Sequence, residues 1–376
     1  MNKPRPLEHP GSRQSLPPEN SGSAPAGKFG LRLTRRKFLP TALLAGLGAA
    51  GYVESIFAAD GPVKVRLGTL APKGSSYCKH LQVMGEKWRA VSGGLSLTIY
   101  PDGTMGGEAD MVRRMRLGQL QAAMLTATGL SEIEPSVSGL QFLPMMFRTL
   151  DEVDYIAEKL QPMLEKRLEE KGFVALFWSD TGWVRFFSKQ PVVRPDDLKK
   201  TKLFVWAGNT DEVDLYRSVG LNPVPLETVD ILPSLQTGLI NAVPLPPSYA
   251  LAGQVDGVAA HMLDLAWVPL VGALVVTKKT WDAIPPEGRE ALRKTAAETG
   301  KLLKADGRRE SVESVEAMRK RGLTVHPLTP EIEAEWRREV EAMYPKIRGR
   351  IVPAEIFDEV EKQLAIYRAG REGEKK

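Results

Sequence analysis

Residues 197–247 read DLKKTKLFVWAGNTDEVDLYRSVGLNPVPLETVDILPSLQTGLINAVPLPP. A polar DLKK turn feeds a short apolar strand at 203–206, and Gly208-Asn209-Thr210 supplies the loop and cap of an amphipathic helix through Val213 and Tyr216. After Gly220 the chain runs extended through 222–225. It then enters a second helix capped near Thr228 or Asp230 and stopped at Gly238, where a left-handed glycine is expected. The apolar run 239–245 leads into Pro246-Pro247. Strand, helix, strand, helix, strand is the grammar of a parallel sheet with crossover helices, which binds ligands at the carboxyl ends of its strands. Residues 205–209 and 243–247 are therefore the places to look for a site.

Outward from this stretch, 376 residues suffice for two domains of ordinary size. The formal charge of +5 does not describe a basic surface. Residues 1–59 hold eight Lys or Arg against three Glu, so the remainder is formally neutral and a groove for nucleic acid is not supported. The single cysteine, Cys78, excludes an internal disulfide framework and reads as a small apolar filler on a helix. Four scattered histidines have no ligand spacing, so neither a metal nor another cofactor is expected. No nucleophile elbow, metal-ligand cluster or phosphate loop occurs in the mature part, which argues against an enzyme.

Residues 1–33 are rich in Pro, Ser, Gly and Asn without apolar periodicity and read as disordered. Residues 34–39, with Arg35-Arg36, precede an apolar run at 39–53 that is short and rich in Gly and Ala, as in a twin-arginine export signal with a loose cleavage site at Ala59. The competing reading is an uncleaved membrane anchor, and either one puts the rest outside the cytoplasm. The GxGxxG formed by Gly46, Gly48 and Gly51 follows no strand and is discarded as a dinucleotide site. Further strands are read at 63–67, 95–100, 122–126, 173–178, 183–188, 261–265 and 270–277, with 179–182 as a joining loop. Helices are read at 149–171, from 285 to about 321, and from 330 to about 369 with bends at Pro345 and Pro353. Met111 and Met115 form a helical stripe read as core.

Ordered pieces along the chain then resemble a known family. They are Pro101-Asp102-Gly103 with Gly106, Leu117-Gly118, Leu143-Pro144-Met145-Met146-Phe147, Gly182, Pro195-Asp196-Asp197-Leu198-Lys199, Gly220-Leu221-Asn222-Pro223-Val224-Pro225 and Leu235-Gln236-Thr237-Gly238. Their order and spacing resemble the solute-binding component of tripartite ATP-independent periplasmic (TRAP) transporters, the dicarboxylate-binding P family. The resemblance implies a two-domain α/β periplasmic-binding-protein-like fold, with mixed sheets flanked by helices, hinge strands, and a long interdomain helix placed at 285–321. It also implies an interdomain cleft that closes on a small solute, delivery to integral-membrane permease subunits, and pairing of some relatives through C-terminal helices, hence a homodimer. On this reading lobe I comprises 60–182 and 271–322, lobe II comprises 183–270 and 323–376, and 1–59 is the leader.

The departures from the family point to the ligand. The arginine that relatives carry in the strand after the Asp-Leu-Lys turn falls on Phe204. A second falls on Val184, beside Arg185, and the Gln-Glu-Asn that follows falls on Val243, Pro244 and Leu245. Burying an anion without its partner costs about 3–5 kcal/mol, or two to four orders of magnitude in affinity, so an uncharged or hydrophobic ligand is expected. Trp183, Phe204, Trp206, Tyr249, Trp267, Tyr77 and Phe142 are read as aromatic walls, with Val243 and Leu245 beside them and Asp180, Gln141 and Asn209 as orienting polar groups. Two alternatives stay open: an organic acid held by Arg185, and an interaction protein that kept the fold but binds no ligand.

Overall fold

The computed structural model describes residues 63–91 and 95–374. The paired-arginine motif, the apolar run after it and the cleavage site at 59 lie outside the described residues. Among those residues no helix is long and apolar enough to cross a membrane.

Two mixed sheets form the frame. The first runs β2 (Leu95–Tyr100), β1 (Val63–Thr69), β3 (Ala122–Thr126), β10 (Pro269–Thr277), β4 (Phe173–Trp183). In it β1 is parallel to β2 and β3, while β10 is antiparallel to β3 and β4. The second runs β11 (Thr324–His326), β9 (His261–Leu263), β5 (Arg185–Ser188), β8 (Ala242–Leu245), β6 (Lys202–Trp206), β7 (Asn222–Leu226). The stretch at 197–247 folds as its pattern requires, since β6 is parallel to both β7 and β8. Helix α6 (Thr210–Ser218) joins β6 to β7, its N-terminus capped by the Asn209 side chain, which accepts from the Glu212 N–H. Helix α7 (Ile231–Thr237) joins β7 to β8 and ends at Gly238 with φ of 76°, left-handed as expected of that glycine.

Two strands carry the chain between the sheets. β4 passes through Val184 into β5, and β9 returns through residues 264–268 into β10. The crossings bind each other, with the Val184 N–H donating to the Val268 carbonyl at 2.8 Å and the Trp267 N–H to the Val184 carbonyl at 3.2 Å. Residues 179–182, expected as a loop, instead continue β4. Pairing of Trp183 with Pro269 and of Asp180 with Val271 supplies a ladder that overrides the turn-forming composition Ser-Asp-Thr-Gly.

A third connection is α10 (Pro286–Lys320), 35 residues and so roughly 52 Å long. It lies along β4 and against α1 (Ser76–Ala90) and α8 (Pro247–Ala252). Gly300 and Gly307 let it approach, because a Cβ would stand 2.7 Å from the Phe177 Cβ at the first and 3.2 Å from the Asp180 carbonyl at the second. The C-terminal residues assigned by sequence to lobe II divide. β11 joins the second sheet, but α13 (Ala354–Glu374) lies on α4 (Leu150–Glu170), where Tyr155 donates to Gln363 at 3.1 Å and Arg368 to Glu152 at 2.7 Å. Ile356, Phe357, Val360 and Leu364 of α13 are buried in that packing, so its apolar face is used within the chain. Met111, Met115 and Cys78 are core.

Candidate functional site

A cavity of about 290 Å³ opens between the two sheets. Strand ends build it: Thr69 at the end of β1 and Leu70 just after it, Met124 to Thr126 of β3, Ser179 and Thr181 of β4, and Leu270 to Gly272 of β10 face Trp206 and Leu245 at the carboxyl ends of β6 and β8. Ile231 of α7 and Tyr249 of α8 complete the wall. A smaller recess of about 50 Å³ lies toward the hinge, lined by Gln141, Phe142, Val184, Glu212, Tyr216 and Trp267 among others, and shares Trp206 and Leu270 with the main cavity.

Of the residues singled out by sequence, Tyr77, Trp206, Leu245 and Tyr249 line the main cavity, and Gln141, Phe142, Trp206 and Trp267 line the recess. The other six lie elsewhere. Phe204 shares the Trp206 face of β6 but sits two residues deeper, wholly buried, with Trp206 edge-on above it at 5.0 Å between ring centroids. Val243 is likewise inside the second lobe. Trp183 is half-buried against the apolar core and lines neither cavity. Asn209 serves as a helix cap and also donates to the Glu212 carboxylate at 3.1 Å.

Asp180 and Arg185 are both engaged by counter-charges. The Asp180 carboxylate, 3% exposed, accepts from the Gly182 N–H at 2.9 Å and from the Arg308 guanidinium at 2.7 and 2.8 Å. Arg308 also grips Asp154 with two hydrogen bonds of 2.7 and 2.8 Å, beside Lys304. Arg185 donates to Asp264 in the β9–β10 crossing and lines neither cavity. No lysine or arginine lines either space among the described residues.

Sequence reading missed the acids that line the main cavity, the exposed Asp102 and the buried Glu108. Glu108, at the start of α2 (Glu108–Arg116), is buried in the cavity wall. Its carboxylate accepts from the Thr126 N–H at 2.7 Å, the Thr126 hydroxyl at 2.6 Å and the Gly129 N–H at 2.8 Å. Burial pushes the carboxyl up, and these hydrogen bonds only partly offset it. Its partners come from β3 and the short helix Ala127–Ser131 after it, 18 and 21 residues away, so no local spacing announced them.

In the hinge recess, burial pushes the Glu212 carboxyl up to about 7 despite a hydrogen bond with Tyr216. A carboxyl raised in the folded state binds its proton more tightly there than when unfolded. It therefore subtracts stability as pH rises from about 4.5 through 7. Glu212→Gln is expected to be more stable than the parent by about 1–3 kcal/mol at pH 8, with the difference vanishing near pH 4.5. Urea midpoints at the two pH values check it, and equal midpoints at pH 8 would refute it.

Comparison with known proteins places this geometry. The chain is 24% identical over 317 residues to the C4-dicarboxylate-binding periplasmic protein DctP of Rhodobacter capsulatus, covering 82% of this chain and 93% of that protein. It is 26% identical over 237 residues to the 2,3-diketo-L-gulonate-binding periplasmic protein YiaO of Escherichia coli K12, covering 62% and 71%. Among solved structures, a TRAP periplasmic solute-binding protein of Ralstonia eutropha H16 with bound (S)-2-acetolactate superposes with a TM-score of 0.74 at 20% identity, covering 80% of this chain and 98% of that one. Another, of Desulfovibrio salexigens with bound orotic acid, gives 0.73 at 18% identity over 80% and 98%. The family model described as "Bacterial extracellular solute-binding protein, family 7" matches residues 67–349. Two sheets joined by hinge strands, a cavity at the carboxyl ends of their strands and a family match over most of the chain agree: this protein belongs to extracellular solute-binding family 7, as a periplasmic receptor of the TRAP type and not an enzyme.

Proposed function

We propose that this receptor closes its lobes on an uncharged, largely apolar small molecule and presents it to the TRAP permease subunits after twin-arginine-type export. One observation carries the reading: among the described residues the cavity wall holds the acids Glu108 and Asp102 and no cation, with Leu245 and Trp206 at the strand ends and Phe204 buried beneath. An anion entering it would lose its hydration, find no guanidinium, and meet a carboxylate. The related proteins named above bind, by their descriptions, dicarboxylates, diketogulonate, acetolactate and orotic acid. Arg185, which could have served an acid here, is already paired with Asp264.

Closure follows if the solute touches both walls, since only contacts made in the closed state shift the open–closed equilibrium. The cavity is about twice the ~150 Å³ that holds benzene, so a solute of about a dozen non-hydrogen atoms fits. Mass spectrometry of solute extracted from protein purified out of its periplasm is expected to find a neutral molecule of that size. Titration followed by tryptophan fluorescence is expected to show small dicarboxylates binding at least about 100-fold more weakly than neutral compounds of equal size. Recovery of a dicarboxylate, or a preference for one, would overturn the reading.

A further inference from the structure

We infer that Tyr249 and Thr181 are specificity-determining residues that read a single neutral acceptor oxygen, a ketone or an alcohol, on an otherwise apolar solute. The inference deepens the proposed function and rests on it. Nearly every other hydroxyl of the cavity wall is already committed within the protein. Thr69 accepts from the Ala71 N–H at 3.1 Å, Thr126 donates to Glu108, Ser179 lies 3.2 Å from the Tyr77 hydroxyl, and Thr228 accepts from the Trp206 indole at 3.3 Å. Thr69 and Thr228 act there only as acceptors, and two hydroxyls have no partner at all among the described residues. Thr181 is 3% exposed, and its Oγ1 has no partner among the described residues. The Tyr249 Oη likewise has none, and its ring lies in the wall.

The buried Thr181 hydroxyl left unpaired is costly, and a ligand oxygen that satisfies it recovers that cost on binding, while the half-buried Tyr249 phenol supplies a second donor from α8. Burial and the nearby Glu108 carboxylate both hold the Tyr249 phenol protonated, so it donates at every physiological pH. The group it seeks is therefore an acceptor. The same Glu108 charge selects against a carboxylate at that place, which leaves a neutral oxygen able to take one bond from the phenol and another from the threonine. Thr181 is on β4 and Tyr249 on α8, so an oxygen shared between them ties the first sheet to a helix that follows the second.

The test uses four probes on one skeleton of suitable size: tetralin, its benzylic ketone, its benzylic amine and its benzylic carboxylate. Each is titrated into the full mature receptor by isothermal calorimetry or tryptophan fluorescence. The ketone is expected to bind about thirtyfold more tightly than the hydrocarbon. In Tyr249→Phe and in Thr181→Val, each nearly isosteric, that ratio is expected to fall toward one. Because the readout is a ratio on one protein, a modest change in stability does not move it. Equal binding of ketone and hydrocarbon by the parent, or an unchanged ratio in both variants, overturns the inference while leaving the apolar reading intact. Tightest binding of the carboxylate or the ammonium overturns both. Failure of all four to bind at their solubility limits also overturns both.

Discussion

Replacing Phe204 by arginine, the residue that the family resemblance assigns to this place, is expected to unfold the second lobe and not to create an acid-binding receptor. Phe204 is wholly buried among Ile231, Leu235 and Val243, with Trp206 lying over its edge. Losing a buried phenyl ring costs about 3–5 kcal/mol. Placing a guanidinium there adds several more, because it would sit desolvated among apolar side chains. The sum exceeds about 5 kcal/mol, comparable with the whole stability of a typical domain. Limited proteolysis should cut within 185–263 under conditions where the parent resists, and tryptophan fluorescence should shift to that of an exposed indole. A Phe204→Arg protein that stays folded and binds a dicarboxylate would show instead that the side chain reaches the cavity past Trp206. That outcome would undo the account of this departure from the family.

Arg308→Met is expected to destabilise the first lobe by about 3–5 kcal/mol, the usual result of removing one member of a buried pair. Arg308 joins three elements, since its guanidinium on α10 holds Asp180 on β4 and Asp154 on α4 through four hydrogen bonds of 2.7–2.8 Å. Asp154 keeps Lys304 when the arginine is gone, whereas Asp180 keeps only the Gly182 N–H and is left as a buried carboxylate without a counter-charge. Adding Asp180→Asn to Arg308→Met is therefore expected to restore at least half of the loss. Burial alone would raise the Asp154 carboxyl, but hydrogen bonds from Arg308 and Lys304 outweigh it and hold it below its ordinary range. A depressed carboxyl stabilises the fold at neutral pH, and that contribution fades as acidification protonates it below about 4. The acid limb of the parent's stability curve should accordingly be shallower in Arg308→Met. Urea unfolding followed from pH 3 to 8 tests both statements. A midpoint unchanged at pH 7 would show that α10 is held by its small-residue packing alone.

Local pattern carried much of the architecture. The 197–247 stretch declared its parallel strands through cap and stop residues such as Asn209 and Gly238, whose effects act within one turn of helix. The long α10 was legible from an uninterrupted helical run after Pro285-Pro286, and the family from motifs in fixed order. Those signals depend on neighbours in the chain, so the chain alone contains them. The fate of each proposed ligand contact depended on partners far away in sequence. Asp180 and Arg185 read as available polar groups until Arg308 and Asp264 were seen to engage them, 128 and 79 residues distant. Phe204 and Trp206 are both aromatic and on one face of one strand, and only their depth in the packed lobe separates a filler from a wall. Glu108 became the buried charge of the site because Thr126 and Gly129 were folded around its carboxylate. Chain order sets helix caps, turn glycines and hydrophobic period, but whether a polar group is spent or free is settled by which surfaces meet on folding, and that is a property of the tertiary structure.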